Sequence, residues 1–106
     1  MGLESEFRTW HKEHPNFMTP HIRQLKAVDN FILELSEGTD FDHNPMFGVS
    51  AIKKTEKGFR IVDEIGSFKP NMPFNDISEA RNHMKSVESK IKECLKNKDT
   101  CEVKII

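Results

Sequence analysis

The stretch that decides the fold is DISEARNHMKSVESKIKECLKN, residues 76–97. A strand would alternate in twos, but here an apolar side chain recurs every three or four residues, which predicts a helix with one narrow apolar stripe. Asp76 can accept from the free backbone N–H groups of the first turn and Glu79 can reach back, which is a capping-box arrangement. The stripe must pack on the rest of the chain or on a second copy, as in a homodimer. It comprises Ile77, Ala80, Met84, Val87, Ile91 and Cys94.

The composition indicates one modest domain. The chain has 106 residues, of which 36% are hydrophobic and 31% are charged, and these amounts suit a single core with a solvated surface. We expect one domain over residues 1–106, with residues 1–18 as an aromatic arm or short helix and residues 19–106 as the core. The formal net charge of −1 excludes the strongly basic balance of a protein that lives on nucleic acid or anionic lipid.

Two further helices are predicted towards the N-terminus. Leu3, Phe7 and Trp10 are spaced by four and three, which predicts a short helix that ends before Pro15. A second helix is predicted over residues 20–37, with Thr19 as its N-cap, Pro20 in its first turn and Gly38 as a left-handed C-cap. Its apolar face would comprise Ile22, Leu25, Val28, Ile32 and Leu35.

The rest of the core region favours strands. Residues 46–54 and 59–65 read as two strands joined by a turn that ends in Gly58. Residues 66–75 form a loop or a short edge strand, and the alternation after Cys101 predicts a final strand. The order α-α-β-β-(β)-α-β predicts an α+β fold, with a small antiparallel or mixed sheet of three to four strands and two main helices packed on one face.

Aromatic residues in two segments are the candidate partner-binding residues. The loop FKPNMPF, residues 68–74, combines aromatic side chains with rigid prolines, which lower the entropy lost on binding. The alternative interpretation is that these side chains fold back onto the core. We expect a non-enzymatic accessory or regulatory protein that acts by binding another protein, as an inhibitor or adaptor. The candidate contact residues are Phe7, Trp10, Phe68, Met72 and Phe74.

Nucleic-acid binding is the second hypothesis, because the charge is unevenly spread. The first 45 residues carry four basic and eight acidic side chains, so the remainder of the chain is net positive. The long helix contributes four basic residues off its apolar stripe, which would form the contact with nucleic acid. They are Arg81, Lys85, Lys92 and Lys96.

Metal and catalytic chemistry form the third hypothesis. Asp40, Asp42 and Asn44 begin like a calcium-binding loop, but Pro45 replaces the glycine of the sharp turn. His11, His14 and His21 could hold zinc only with ligands from elsewhere, since no spacing matches a zinc module. The sequence therefore predicts no catalytic site, no metal and no cofactor, with a small metal protein or enzyme that uses the histidines as the alternative.

The cysteines and the overall residue usage bear on location and origin. No apolar run approaches a membrane span, so we expect a cytoplasmic protein without a membrane partner. In a reducing compartment Cys94 and Cys101 are expected to be buried thiols, with a disulfide across the helix-to-strand turn as the alternative. Lysine outnumbers arginine and alanine is scarce. This bias is typical of an AT-rich genome, such as that of many phages and mobile elements.

Overall fold

The structure is a computed structural model that describes residues 2–14, 21–97, 99 and 101–106. Within these residues lie two helices and six strands. In chain order they are α1 (Leu3–Glu13), β1 (Ile22–Val28), β2 (Phe31–Thr39), β3 (Pro45–Thr55), β4 (Gly58–Ile65), β5 (Met72–Phe74), α2 (Ile77–Lys96) and β6 (Val103–Ile105). The predicted α+β class is confirmed. The described strands outnumber the predicted three to four.

The strands form one antiparallel sheet in the order β1-β2-β3-β4-β6. The edge of β3 that faces away from β2 pairs with two strands. Its first half pairs with β5 and its second half with β4. The Asn71 side chain lies at the junction. Its amide oxygen accepts from the Ala51 N–H at 3.0 Å, and its amide nitrogen donates to the Val62 carbonyl at 2.6 Å. One side chain therefore satisfies backbone groups of two strands that have separated.

The helix predicted over residues 20–37 is wrong, because this segment is the β1–β2 hairpin. Its turn is the dipeptide Asp29-Asn30, where Asp29 takes a left-handed φ of 54° that aspartate tolerates better than most residues. Gly38 lies inside β2 and caps no helix. The predicted N-cap at Thr19 and Pro20 lies outside the described residues. The apolar residues of this segment are spaced by three and four like those of a helix, because β2 is buried on both faces and lacks the alternation expected of a strand.

The centre of the sheet is covered on both sides. Five successive residues of β2, Phe31 to Leu35, are all buried. Neighbouring side chains in a strand point to opposite faces, so Phe31, Leu33 and Leu35 lie on one face and Ile32 and Glu34 on the other. We name these the α2 face and the α1 face after the helix that packs on each. The prediction of two helices on one face is therefore wrong.

The long helix α2 is confirmed, and its stripe packs on the chain's own sheet. Asp76 is its N-cap and accepts from the Ser78 N–H at 2.9 Å. The stripe residues from Ala80 to Cys94 are buried against β2 and β3, so the stripe is occupied within the chain. Neither helix in the described ranges combines the length and apolar character that a membrane crossing requires.

The short helix α1 covers the other face. Phe7 is fully buried among Ile32, Ile52 and Phe59, with its ring edge-on to Phe59 at 5.1 Å between centroids. Trp10 lies over the β3–β4 turn, where a Cβ at Gly58 would stand 2.6 Å from the indole Nε1. Gly58 also has a φ of 106°. The position therefore requires glycine both for its backbone conformation and for the close approach of Trp10.

The two cysteines are disulfide-bonded, so the expectation of two buried thiols is wrong. The bond joins Cys94 in the last turn of α2 to Cys101 before β6, with the Cα atoms 5.3 Å apart. It closes a short loop and ties the last strand to the helix. Gly66 N–H also donates to the Glu102 carbonyl at 2.7 Å, which fixes the same segment on the end of β4.

One carboxyl group is buried in the α1 face. Glu34 has no exposed surface, and neither carboxyl oxygen has a hydrogen-bond partner among the described residues. Its strand neighbours are Leu25 and Ser50. Burial raises the pKa of this carboxyl from 4.5 to about 7, because the charged form loses its hydration without gaining a partner.

We expect Glu34→Gln to remove a loss of stability that the wild type shows as pH rises from about 4.5 to about 7. Below about pH 4.5 the Glu34 carboxyl is protonated in the folded and unfolded states, and above about pH 7 it is ionised in both. Between these values the folded state binds more protons, so the free energy of unfolding falls as pH rises, by about 3 kcal/mol from this group. Urea unfolding of both proteins from pH 4 to pH 8 measures the effect. A difference between wild type and variant that is constant with pH would contradict it.

We expect Cys94→Ser/Cys101→Ser to lower the free energy of unfolding by about 2.5 kcal/mol, since the closed loop no longer restricts the unfolded chain. Thermal or urea unfolding measures this, and dithiothreitol should give the wild type a similar loss. The same reductant should leave the double variant unchanged. Equal stability of the oxidised wild type and the double variant would show that the bond does not stabilise the domain.

Candidate functional site

The predicted partner-binding residues of the N-terminal arm contribute to the core. Phe7 is fully buried, and Trp10 is half-buried with its ring 5.5 Å from that of Phe59. Ion pairs and hydrogen bonds hold the same helix at its first turns, where Glu6 pairs with Lys54 and Glu4 accepts from the Ala27 N–H. With α1 docked in this way, neither aromatic ring presents its full surface to a partner.

The proline-rich loop is organised around His83 of α2. The rings of Phe68 and Phe74 lie 5.7 Å and 5.2 Å from that of His83. His83 Nε2 lies 2.8 Å from the carbonyl oxygen of Pro70, which is itself fully buried. Met72 is the exception, since 44% of its surface is exposed. Of the five predicted contact residues, Met72 alone is classed as exposed.

The aspartate-rich loop between β2 and β3 is held by its own hydrogen bonds. Asp40 Oδ1 accepts from the N–H groups of Asp42 and Asn44, each at 2.9 Å. The hydrogen bond from the Asn44 backbone is the main cause that lowers the pKa of Asp40. The carboxylate therefore closes a turn, as aspartate commonly does. Phe41 at the tip of this loop is fully exposed.

The histidines of the metal hypothesis do not converge. His11 is on α1 and stacks on Phe7, His14 directly follows α1 and stacks on Trp10, and His21 precedes β1. The part of the chain that the structure describes contains no group of three or more His, Cys, Asp or Glu side chains that could hold a metal ion. Both cysteine sulfurs are in the disulfide, so neither is a thiol nucleophile in this form.

The four basic residues of the nucleic-acid hypothesis lie on the exposed part of α2. Arg81, Lys85, Lys92 and Lys96 are all exposed and succeed one another at spacings of four, seven and four, so they share one side of the helix. Glu88 lies in the middle of this row. It bonds Lys92 at 2.9 Å, so one of the four cations is already paired with a carboxylate.

A groove runs between this side of α2 and strand β1. The side chains of Leu33 and Met84 lie beneath it, almost fully buried, and its volume is about 300 Å³. We name it the basic groove, and its lining residues are Gln24, Lys26, Leu33, Arg81, Met84, Lys85 and Glu88. Lys26 faces this groove because it pairs with Leu33 in the sheet and shares its face.

The charges of the basic groove are unevenly paired. Glu88 is bonded by Lys26 at 2.9 Å as well as by Lys92. The hydrogen bond from Lys26 is the main cause that lowers the pKa of Glu88, and that from Lys92 adds to it, so this carboxylate stays ionised at neutral pH. Arg81 and Lys85 form no ion pair with any described residue. The groove therefore offers two cations that have no ion-pair partner among the described residues.

The sequence indicated only the helix side of this groove. Arg81 and Lys85 were identified by their place off the apolar stripe, but Gln24 and Lys26 belong to a segment that was predicted as helix. The signal that could have found them is Asp29-Asn30, a dipeptide that suits a two-residue hairpin turn. That turn would have placed Lys26 on a strand beside the helix.

Comparison with protein-family models, with curated proteins and with solved structures finds no match to this chain.

We expect Phe7→Ala and Met72→Ala to affect stability very differently. Phe7 is fully buried, so its truncation should lower the free energy of unfolding by about 3–5 kcal/mol. The exposed Met72 should tolerate alanine within about 0.5 kcal/mol. Urea unfolding of both variants measures this contrast. A Phe7→Ala protein as stable as the wild type would show that α1 does not hold the α1 face closed.

Proposed function

We propose that this chain is a non-enzymatic binding protein that takes up an acidic segment of a partner protein in the basic groove between β1 and α2. The single observation that carries the proposal is the pair of exposed cations, Arg81 and Lys85, which line one groove without an ion-pair partner among the described residues. Such a site attracts a carboxylate by charge. Inhibitor or adaptor remains the type of role that we expect.

The partner is now expected to bind in the basic groove and not at the aromatic residues. Phe7, Phe68 and Phe74 pack on the two cores, so their loss would disturb the fold before it disturbed a contact. Arg81 and Lys85 are exposed, so they can be exchanged without disturbing packing. The groove also joins two segments that lie far apart in the sequence, and it exists only in the folded chain.

The second candidate function is nucleic-acid binding through the row of Arg81, Lys85, Lys92 and Lys96. The common side of these residues on α2 favours it. The carboxylate of Glu88 in the middle of the row opposes it, because an ionised group there repels phosphate. No aromatic residue of α2 is available for base stacking, since its sequence contains none apart from His83, which is engaged with the proline-rich loop.

We expect selection from a random linear peptide library on the immobilised protein to enrich peptides that contain Asp or Glu. The double variant Arg81→Glu/Lys85→Glu should bind the selected peptides at least about tenfold more weakly, since it replaces two attractive charges with repulsive ones. The matched control is Lys57→Glu/Arg60→Glu, which makes the same charge change at exposed positions of the β3–β4 hairpin. The control should bind like the wild type.

Equal weakening in both double variants would contradict a site in the groove. A titration with single-stranded oligonucleotides at low salt tests the second candidate. Tight binding whose affinity falls steeply with salt, and which Arg81→Glu/Lys85→Glu abolishes, would favour nucleic acid over an acidic peptide.

A further inference from the structure

Strand β1 forms an edge of the sheet beside the basic groove. Among the described strands it pairs with β2 alone. In an antiparallel pair, alternate residues direct their backbone N–H and C=O groups away from the partner strand. The N–H of Ala27 donates to the Glu4 carboxylate rather than to β2, which identifies Ala27, and with it Leu25, as residues whose backbone groups face outward.

The carboxylate of Glu4 lies where an added strand would place a carbonyl oxygen. Its Oε1 is 3.1 Å from the Ala27 nitrogen, an ordinary length for such a hydrogen bond. Glu4 is exposed at the first turn of α1, so its side chain can leave this position without disturbing the core. An outward edge whose described cover is one exposed side chain remains open to pairing with another chain.

Two hollows flank this edge, one on each face of the sheet. The basic groove lies on the α2 face. The second hollow, of about 350 Å³, lies between α1 and the edge and is bounded by residues 2–5 with Lys26 and Ala27. An added strand directs alternate side chains to opposite faces. One set would therefore enter the basic groove, and the other would lie beside Leu3 and Ala27.

From these observations we infer that β1 receives an extended segment of the partner as an added antiparallel strand, with acidic side chains in the basic groove and apolar ones beside Leu3. The inference rests on the proposed function and names the conformation of the bound segment. The antiparallel direction follows the other pairs of this sheet and the greater stability of such pairs. Recognition by an added strand obtains affinity from the backbone and specificity from alternate side chains.

A second copy of this chain fits the edge poorly. Pairing β1 with β1 of another copy would bring two basic grooves close together, each with Arg81 and Lys85 unpaired among the described residues. These like charges would repel one another. An acidic segment neutralises the same two cations, so charge complementarity favours an acidic partner.

The test uses a capped synthetic heptapeptide that alternates valine and glutamate, starting and ending with valine. In the inferred arrangement the valines lie opposite Leu25 and Ala27, so the valine N–H groups point at β1 and the glutamate N–H groups point at solvent. We expect N-methylation of the valines to weaken binding at least about tenfold, because it removes the donors of several hydrogen bonds. N-methylation of the glutamates should change affinity by less than about twofold.

Two further readouts report on the edge itself. In ¹H–¹⁵N spectra the amides of Leu25 and Ala27 should shift on binding and exchange more slowly with solvent. Glu4→Ala should tighten binding about threefold to tenfold, because the peptide no longer displaces a hydrogen-bonded carboxylate. The matched control is Glu13→Ala, which removes an exposed carboxylate from the other end of α1 and should leave the affinity unchanged.

The outcomes separate this inference from the proposed function. If both methylated peptides lose affinity equally while Arg81→Glu/Lys85→Glu still abolishes binding, the groove stands and the added strand is wrong. If the methylation pattern is as expected but the charge reversal has no effect, the edge pairing stands and the acidic preference fails. If the heptapeptide does not bind, or if only the glutamate-methylated form loses affinity, the inferred arrangement is overturned.

Discussion

Burial of β2 on both faces is the constraint on which the rest of the structure depends. Phe31 to Leu35 lie at the centre of the sheet, and none of these side chains remains in water. A strand of this kind needs cover on each side, and the chain supplies one helix from each end. The long helix α2 brings a complete apolar stripe to one face, and the short α1 brings Phe7 and Trp10 to the other. Both helices are therefore integral to the packing of the same sheet.

The same constraint explains how much of the fold could be predicted from sequence. The α2 stripe was readable because one side of the helix stays in water, and β3 and β4 were readable because Gly58 marks their turn. β1 and β2 were read as a helix because apolar residues on both faces of a strand can fall at helical spacing. Only the two residues Asp29 and Asn30 indicated a hairpin turn, whereas five apolar positions had the spacing of a helix.

Only the α2 side of the candidate site could be predicted from the sequence. Arg81 and Lys85 stood out as cations off the apolar stripe, but a groove needs a second wall, and that wall was hidden in the misread segment. Lys26 belongs to the site because its position in β1 directs its side chain to α2, where it pairs with Glu88. Partner contact through the aromatic residues stays a prediction. Their size and their setting among prolines suggested contact with a partner, whereas most of them fill the cores on the two faces of the sheet.

Asn71 sets the geometry at the place where β3 exchanges one neighbour for another. Its amide accepts from Ala51 and donates to Val62 at the same time. An aspartate of the same shape would offer two acceptors and no donor, and a leucine would offer neither. The side chain at this position must therefore both donate and accept, as a peptide unit does. Its two hydrogen bonds join β3 to β4 beyond the end of their ladder, immediately before the chain turns into β5 at Met72.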